Sequence, residues 1–440
     1  MIFSRNRILL FVLPVIGLFS VATAYSQPVV NDSLSLKSVI SEVMLNHPQV
    51  KKAIEELTNA DAKIGLAQSA KLPNVDLFSS YTRIGPISEI TLPDIGTFML
   101  MPKDNYSAGV NVNQTIYDFG KTEKSISLEK QGKEINRQSV EQVKQKLSQV
   151  VIANYFTLIF LQEAIKIKDE ELTTLKQHLS FIQKKQATGS ATQYEILTTQ
   201  VRISAIENQK TDLETALQVQ VCQLNTLLGK PATTMQRVKN ELNITISNLQ
   251  SDTLMATAMR NRDEMKLAHE KANLAELRYN LTALQNKPVF NAFVSGGVKN
   301  GYIPYMYDPR ANFTAGVTLK IPIYDGKRNK YNLVQAKSAI QSNDQETEIA
   351  RRTIVNEVVE SEANVKASQK KVDQSELQLL QATQAYTLGK VRFESGVITN
   401  LELLDGSTTV SESRLLLLKA KIDHTINLYK LKSAIGERLY

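Results

Sequence analysis

Tryptophan is absent from the 440 residues, and cysteine occurs once, as Cys222. One thiol cannot close an internal disulfide, so the fold is not stapled by oxidation. The four histidines, His47, His178, His269 and His424, are scattered and show no paired metal-ligand spacing. Glycine (18) and proline (12) are sparse, and hydrophobic residues make up 42% against 22% charged. That balance excludes collagen-like and largely disordered chains. No basic run interleaved with aromatics suggests nucleic acid. Gly120-Lys121 lacks the upstream glycines of a phosphate loop, and no Gly-x-Ser-x-Gly motif is present. No catalytic constellation and no cofactor are therefore expected, which leaves an exported enzyme the weakest reading.

Long apolar runs are scarce too. The exception opens the chain: Arg5 and Arg7 precede an apolar run over 8–21, then Ala22-Thr23-Ala24. A basic start, a short apolar stretch and a small-x-small end predict a cleaved secretory signal over 1–26. No cysteine lies near the cleavage point, so no lipid anchor is expected there. No later apolar stretch is expected to approach the ~18 residues of a membrane helix. Loss of Arg5 and Arg7 would lower the net charge from +8 to +6, mild for this length.

What is present is repetition. Ile116-Tyr117-Asp118 returns as Ile323-Tyr324-Asp325, an offset of 207, and the same offset takes Ala108-Gly109-Val110 to Ala315-Gly316-Val317. It also relates Gly189 to Gly396, Glu195 to Glu402 and Gly229 to Gly436. Upstream the offset becomes 215, matching Asn46 to Asn261 and Pro73 to Pro288; the change falls in the stretches 83–105 and 299–310, where loops absorb insertions. A tandem duplication is expected, repeat 1 over 27–229 and repeat 2 over 253–440, joined by a linker over 230–252. Each repeat reads as one helical stretch (36–71 or 253–287), a strand hairpin (about 73–117 or 288–324), a very long proline-free helix (121–187 or 327–393) and a return helix (195–228 or 402–435).

Strands are predicted by alternation. Phe313, Ala315, Val317, Leu319, Ile321 and Ile323 alternate with Asn312, Thr314, Gly316, Thr318 and Lys320. Tyr106, Ala108, Val110 and Val112 alternate in the same way with polar residues, and Val75, Leu77, Tyr81, Phe290, Ala292, Val294 and Val298 do so more weakly. About ten residues suits a tilted strand crossing an outer membrane, although an ordinary half-buried sheet gives the same pattern. In the long helices, Leu147, Val151, Asn154, Leu158, Leu161, Ile165, Lys168, Leu172, Leu175, Leu179 and Ile182 are spaced four and three apart, a coiled-coil seam. Ile354, Val358, Ser361, Val365, Ser368, Val372, Ser375, Leu379 and Ala382 repeat it with smaller residues. A 67-residue helix is roughly 100 Å long. Four strands cannot close a barrel and an open edge is not tolerated in lipid, so membrane strands would require two or more chains.

Arg392-Phe393-Glu394-Ser395-Gly396-Val397 running into Leu401-Glu402-Leu403-Leu404-Asp405, the closing Lys432-Ser433-Ala434-Ile435-Gly436 and the two Ile-Tyr-Asp junctions together resemble the outer-membrane efflux protein family, the TolC-like channels, over essentially the whole mature chain. The resemblance implies an α+β membrane protein: a homotrimer whose 12-stranded β-barrel, four strands per chain, sits in outer-membrane lipid and continues as a periplasmic helical barrel. A belt formed by 230–251 and the last residues would wrap its middle. It also implies a passive exit duct for efflux or type I secretion, docked to a periplasmic adaptor and an inner-membrane pump, which expels drugs, dyes, metal ions or polypeptides. The competing class is a soluble periplasmic coiled-coil scaffold with a small ordinary sheet.

The same resemblance implies acids near the closed tip, six and nine residues after the second tip glycine: Glu402 and Asp405. Glu195 matches the first in repeat 1, while Thr198 replaces the second. Six carboxylates around one axis would attract cations, and repulsion would raise some of their pKa values; acids in a first helical turn also simply favour the dipole. Where the family often has a phenol and an arginine as a gate, this sequence has Phe393 and Ile398, with Arg392 a candidate partner for Glu195. The turns Gly189-Ser190 and Gly396-Val397 would meet the adaptor, their glycines also serving left-handed turn geometry. Tyr302, Tyr305 and Tyr307 are expected in an external loop, at the lipid interface or packing that loop.

Overall fold

The computed structural model describes residues 33–242 and 251–440. The expected signal over 1–26 and positions 243–250 of the expected linker lie outside the described residues. In chain order the elements are α1 (Leu36–Asn46), α2 (Pro48–Ser69), β1 (Asn74–Arg83), β2 (Glu89–Leu92), β3 (Gly96–Met99), β4 (Asp104–Tyr117), α3 (Lys121–Ala187), α4 (Gln193–Leu228), α5 (Ser251–Asn261), α6 (Asp263–Ala283), β5 (Val289–Lys299), β6 (Arg310–Lys320), α7 (Arg328–Glu394) and α8 (Asn400–Ala434). The order helix pair, strands, long helix, return helix thus occurs twice.

Four strands form one antiparallel sheet in the order β1-β4-β5-β6. Register sets Leu77 against Val110, Val112 against Val294, and Val294 against Ala315, so one face is apolar across all four strands. That face is bare: Leu77 and Phe313 are each 84% exposed and Val317 70%. Its reverse carries Ser80, Asn111, Ser295 and Thr314. Gly109 faces Gly297 there, and the Phe78 and Phe293 rings occupy the space beside Gly109 and Gly316 that a Cβ would take. A water-facing protein does not display such a surface, because burying it is worth about 25 cal/mol per Å².

Below the sheet the helices form a rod. Helix α3 runs 67 residues and packs on α2 and α6 near the sheet, then on α4 and α8 further away; α7, also 67 residues, packs on α6 and then α8. Each long helix starts at its Ile-Tyr-Asp junction. Asp118 accepts hydrogen bonds from the backbone N–H of Gly120 (3.1 Å) and Thr122 (2.7 Å). Asp325 accepts from Asn329 N–H and the Asn286 amide, both at 2.9 Å. Along the seams, Val151, Leu158, Leu175 and Ile182 of α3 and Ile354, Val358 and Val365 of α7 are buried.

The largest core lies mid-rod, where Val39 and Val43 of α1, Val151, Ile152, Phe156 and Ile159 of α3, and Leu224 of α4 meet. Tyr155 is fully buried there, its hydroxyl aimed at two carbonyls, Lys239 at 2.7 Å and Leu34 at 3.0 Å. Desolvation raises its pKa, so it stays a donor. Leu34 and Val238 form a parallel bridge beside it, tying the segment before α1 to the one after α4.

Several expectations are corrected. The stretches 36–71 and 253–287 each contain two helices. In the first, Pro48 at the second helix's opening turn ends the one before it. In the second, no proline acts; Arg262 takes an extended backbone and is held by Ala434 O (3.3 Å) and by ion pairs to Glu264 (2.8 Å) and Glu357 (2.6 Å). Within 83–105 a small hairpin, β2-β3, replaces the expected plain loop. The return helices begin at Gln193 and Asn400, two residues early. Helix α3 also holds one 18-residue window apolar enough to cross a membrane by length and composition; half of it is buried, and it supplies the mid-rod core.

The β4–β5 contact separates two adjacent glycines. A Cβ on Gly297 would overlap Ala108 O and stand 2.6 Å from Gly109 Cα, whereas one on Gly296 meets nothing within 4 Å. Gly297→Ala is expected to lower the membrane-inserted yield severalfold, and Gly296→Ala to leave it unchanged, as quantified by outer-membrane fractionation.

Candidate functional site: the helical tip

At the end of the rod away from the sheet, two turns stand side by side: α3 to α4 through Gly189, and α7 to α8 through Gly396. Both glycines are left-handed, at φ 76° and 75°. Ser190 N–H bonds Lys185 O and Val397 N–H bonds Arg392 O, each at 2.8 Å, so both long helices close with the same backward hydrogen bond.

The next helices open with identical capping boxes. Thr192 accepts from Glu195 N–H at 3.3 Å while the Glu195 carboxylate accepts from Thr192 N–H at 2.6 Å; Thr399 and Glu402 do the same at 3.3 and 2.7 Å. This places Glu195 and Glu402 at the third helical position and explains the early helix starts. Within the single chain, the Thr399 backbone N–H and then its hydroxyl hold the Glu402 carboxyl below its ordinary value. The Thr-x-x-Glu spacing was the readable signal.

Beneath the turns lies a small core. Phe393 is buried with Ile182, Ile196 and Leu403. Its ring stands 5.4 Å from His178, and the Lys185 ammonium sits over both Phe181 (5.0 Å) and Phe393 (5.1 Å), a cation–π contact. Asn400, 4% exposed, joins three helices: its amide N–H₂ donates to Glu195 O (3.3 Å) and Thr199 Oγ1 (3.2 Å), and its Oδ1 lies 2.6 Å from His178 Nε2. Because the amide nitrogen is spent as donor, His178 Nε2 must be the donor to Oδ1. Sequence inspection missed this asparagine.

Asp405 is not free. Its Oδ1 pairs with Arg202 Nη2 at 2.7 Å, linking α8 to α4. The expected Arg392–Glu195 pair is absent among the described residues, because the Glu195 carboxylate is turned back onto its own cap. Val397 stays 70% exposed at the tip, as does Tyr194 beside it. Two of the other histidines have local duties: His47 Nδ1 accepts from Gln49 N–H (3.2 Å) as a cap, and His424 Nδ1 lies 3.0 Å from Ser368 Oγ. In the outer loop, Arg310 lies 4.3 Å from the Tyr305 ring and Lys299 5.2 Å from that of Tyr302.

A long helical rod carrying a four-stranded sheet with one bare apolar face is an architecture suited to an outer membrane. The sequence profile of the outer membrane efflux protein family matches residues 39–230 and again 254–437, and the chain belongs to that family, an outer-membrane protein of the TolC-like type. Outer membrane protein TolC of Vibrio cholerae serotype O1 is 21% identical, covering 91% of this chain and 90% of its own length. The cation efflux system protein CusC of Escherichia coli K12 is 21% identical over 91% of this chain and 86% of its own length. The solved outer membrane protein VceC of Vibrio cholerae has the same fold, with a TM-score of 0.75 over 92% of this chain and 97% of that one, at 16% identity.

Two outcomes are expected at the tip. Asn400→Ala removes the acceptor of His178 Nε2 and one of the two hydrogen bonds of the Thr199 hydroxyl and is expected to cost about 2 kcal/mol locally, seen as faster amide exchange at the starts of α4 and α8. Glu402, whose folded pKa is depressed, adds stability above its ordinary value of 4.5 that is lost as pH falls through the folded value. Amide protection of the first α8 turn should therefore drop below pH 4.5 relative to Glu402→Gln at the same pH, and match it in pH dependence above.

Proposed function

We propose that three copies of this chain close a 12-stranded barrel, β1 of one copy pairing with β6 of the next, and that the rods continue it as a helical tunnel through the periplasm. The observation that carries this reading is the sheet itself: its apolar face is exposed, and the outer edges of β1 and β6 have no strand beside them among the described residues. Hydrocarbon accepts the face but not the edges, so the edges must pair between copies. Two copies would give eight strands; three is the family's architecture. The two halves then are repeats from one duplication, in keeping with the family profile matching twice.

On this reading the channel is passive and performs no chemistry of its own. It serves as the exit duct of a tripartite efflux or type I secretion assembly, its tip turns at Gly189-Ser190 and Gly396-Val397 meeting a periplasmic adaptor, and an inner-membrane pump supplying energy and choosing the cargo. Glu402, Asp405 and Glu195 line the constriction, and Arg392 and Phe393 belong to the gate. The kinship with a cation efflux protein supports export of small solutes among the possible cargoes. A soluble scaffold is the poorer account, since a scaffold has no use for a bare apolar sheet face.

The test is the particle and its pore. Protein extracted from outer membranes should give a three-chain mass by native mass spectrometry and discrete conductance steps in planar bilayers. A monomeric, water-soluble periplasmic protein would overturn the proposal.

A further inference from the structure

We propose that Arg202 sets the charge of the constriction, and with it the ion selectivity of the pore, by compensating Asp405. The inference rests on reading the tip as the narrow end of the conduit. Of the three acids placed at the constriction, Glu195, Glu402 and Asp405, only Asp405 is met by a cation among the described residues. Glu402 is held by the N–H and hydroxyl of Thr399, which carry no charge, so its negative charge stands. Asp405 is held by the Arg202 guanidinium at 2.7 Å, with 60% of its side chain exposed and 31% of the arginine's. With Glu195 held on Thr192 in the same uncharged way, the three acids of each chain then present two net negative charges rather than three.

The pair is built from both repeats. Under the 207 offset, Thr198 corresponds to Asp405 and Arg202 to Thr409. Repeat 2 has the acid and a threonine one turn on; repeat 1 has a threonine and, one turn on, the base. The side chains left over make no charge contact here: Thr198 and Thr409 return their hydroxyls to the carbonyls of Glu195 and Asp405. Acid and base have thus been divided between equivalent positions of two helices that meet at the tip, which is how a charge is cancelled where a ring of like charges would otherwise form. Because the pair is largely exposed, it adds little to stability; its consequence is the field it leaves in a narrow, partly desolvated space.

The experiment uses the purified oligomer in planar bilayers under a potassium chloride gradient, the reversal potential giving the permeability ratio of potassium to chloride. Arg202→Gln is expected to raise that ratio on the order of fivefold, Arg202→Lys to hold it near wild type, and Asp405→Asn to lower it. Both Arg202→Gln and Asp405→Asn break the same contact, so a merely structural role would move them together, whereas the charge role moves them in opposite directions. Conducting pores whose reversal potentials match wild type in both variants, or shift the same way, would overturn the assignment of Arg202 alone. A wild-type oligomer with no conductance would instead remove the conduit reading on which it rests.

Discussion

A backbone N–H or C=O that faces hydrocarbon without a partner costs several kcal/mol, and no side chain can repair a whole row of them. That constraint governs this molecule. The sheet offers lipid an apolar face from Val75 to Leu319, yet β1 and β6 each end it with an open row of donors and acceptors. The proposed closure between copies would answer the cost and commit the helices to a ring, because each long helix follows a strand through a short junction. The Ile-Tyr-Asp junctions make that departure rigid, with Asp118 and Asp325 bonding the first helical N–H groups.

Within one chain the work is divided along the rod. Mid-rod, large aliphatic and aromatic residues supply the densest core and Tyr155 fastens the segments that flank it. Opposite, where α5 gives way to α6, stability comes from charge: Asp263 is 7% exposed and is met by Arg438, with contacts at 2.5 and 3.0 Å. A buried carboxylate so placed needs its partner, since losing one member of such a pair leaves an uncompensated charge. The chain's last residues reach α3 as well, through Arg438 and Tyr440 on Glu141. Toward the tip the packing thins to Phe393 and its neighbours, and polar links such as Asn400 do the joining.

Much of this could be read from the sequence, for identifiable reasons. The strands were legible because one face meets an apolar medium, which forces Phe313, Val317 and Leu319 into strict alternation. Helix α3 was legible because its apolar residues keep a single spacing for ten turns. The hairpin β2-β3 was not, since its strands Glu-Ile-Thr-Leu and Gly-Thr-Phe-Met are too short for alternation to declare itself. Pro48 announces its helix break; the break at Arg262 is made by partners some 95 and 172 positions away and leaves no local mark. At the tip, the acids Glu195, Glu402 and Asp405 could be found by counting from glycines. Their partners could not: the two capping boxes were present as a pattern, but Arg202 becomes visible only when the repeats are laid over one another, and Asn400 only in three dimensions.

The seam of α3 fixes something besides packing. Its apolar positions recur every seven residues from Leu147 to Ile182, and the facing helices share that phase. An insertion of another length would carry the residues beyond it off this seam unless local over- or unwinding of the helices absorbs it. A heptad, about 10 Å, is therefore the step by which the rod lengthens with its seam unchanged, taken on a long helix and its return helix together. Reach across an aqueous compartment is thus most simply changed in whole steps in such a molecule, and a smaller change in the spacing between two membranes falls to local winding or to the parts it docks to.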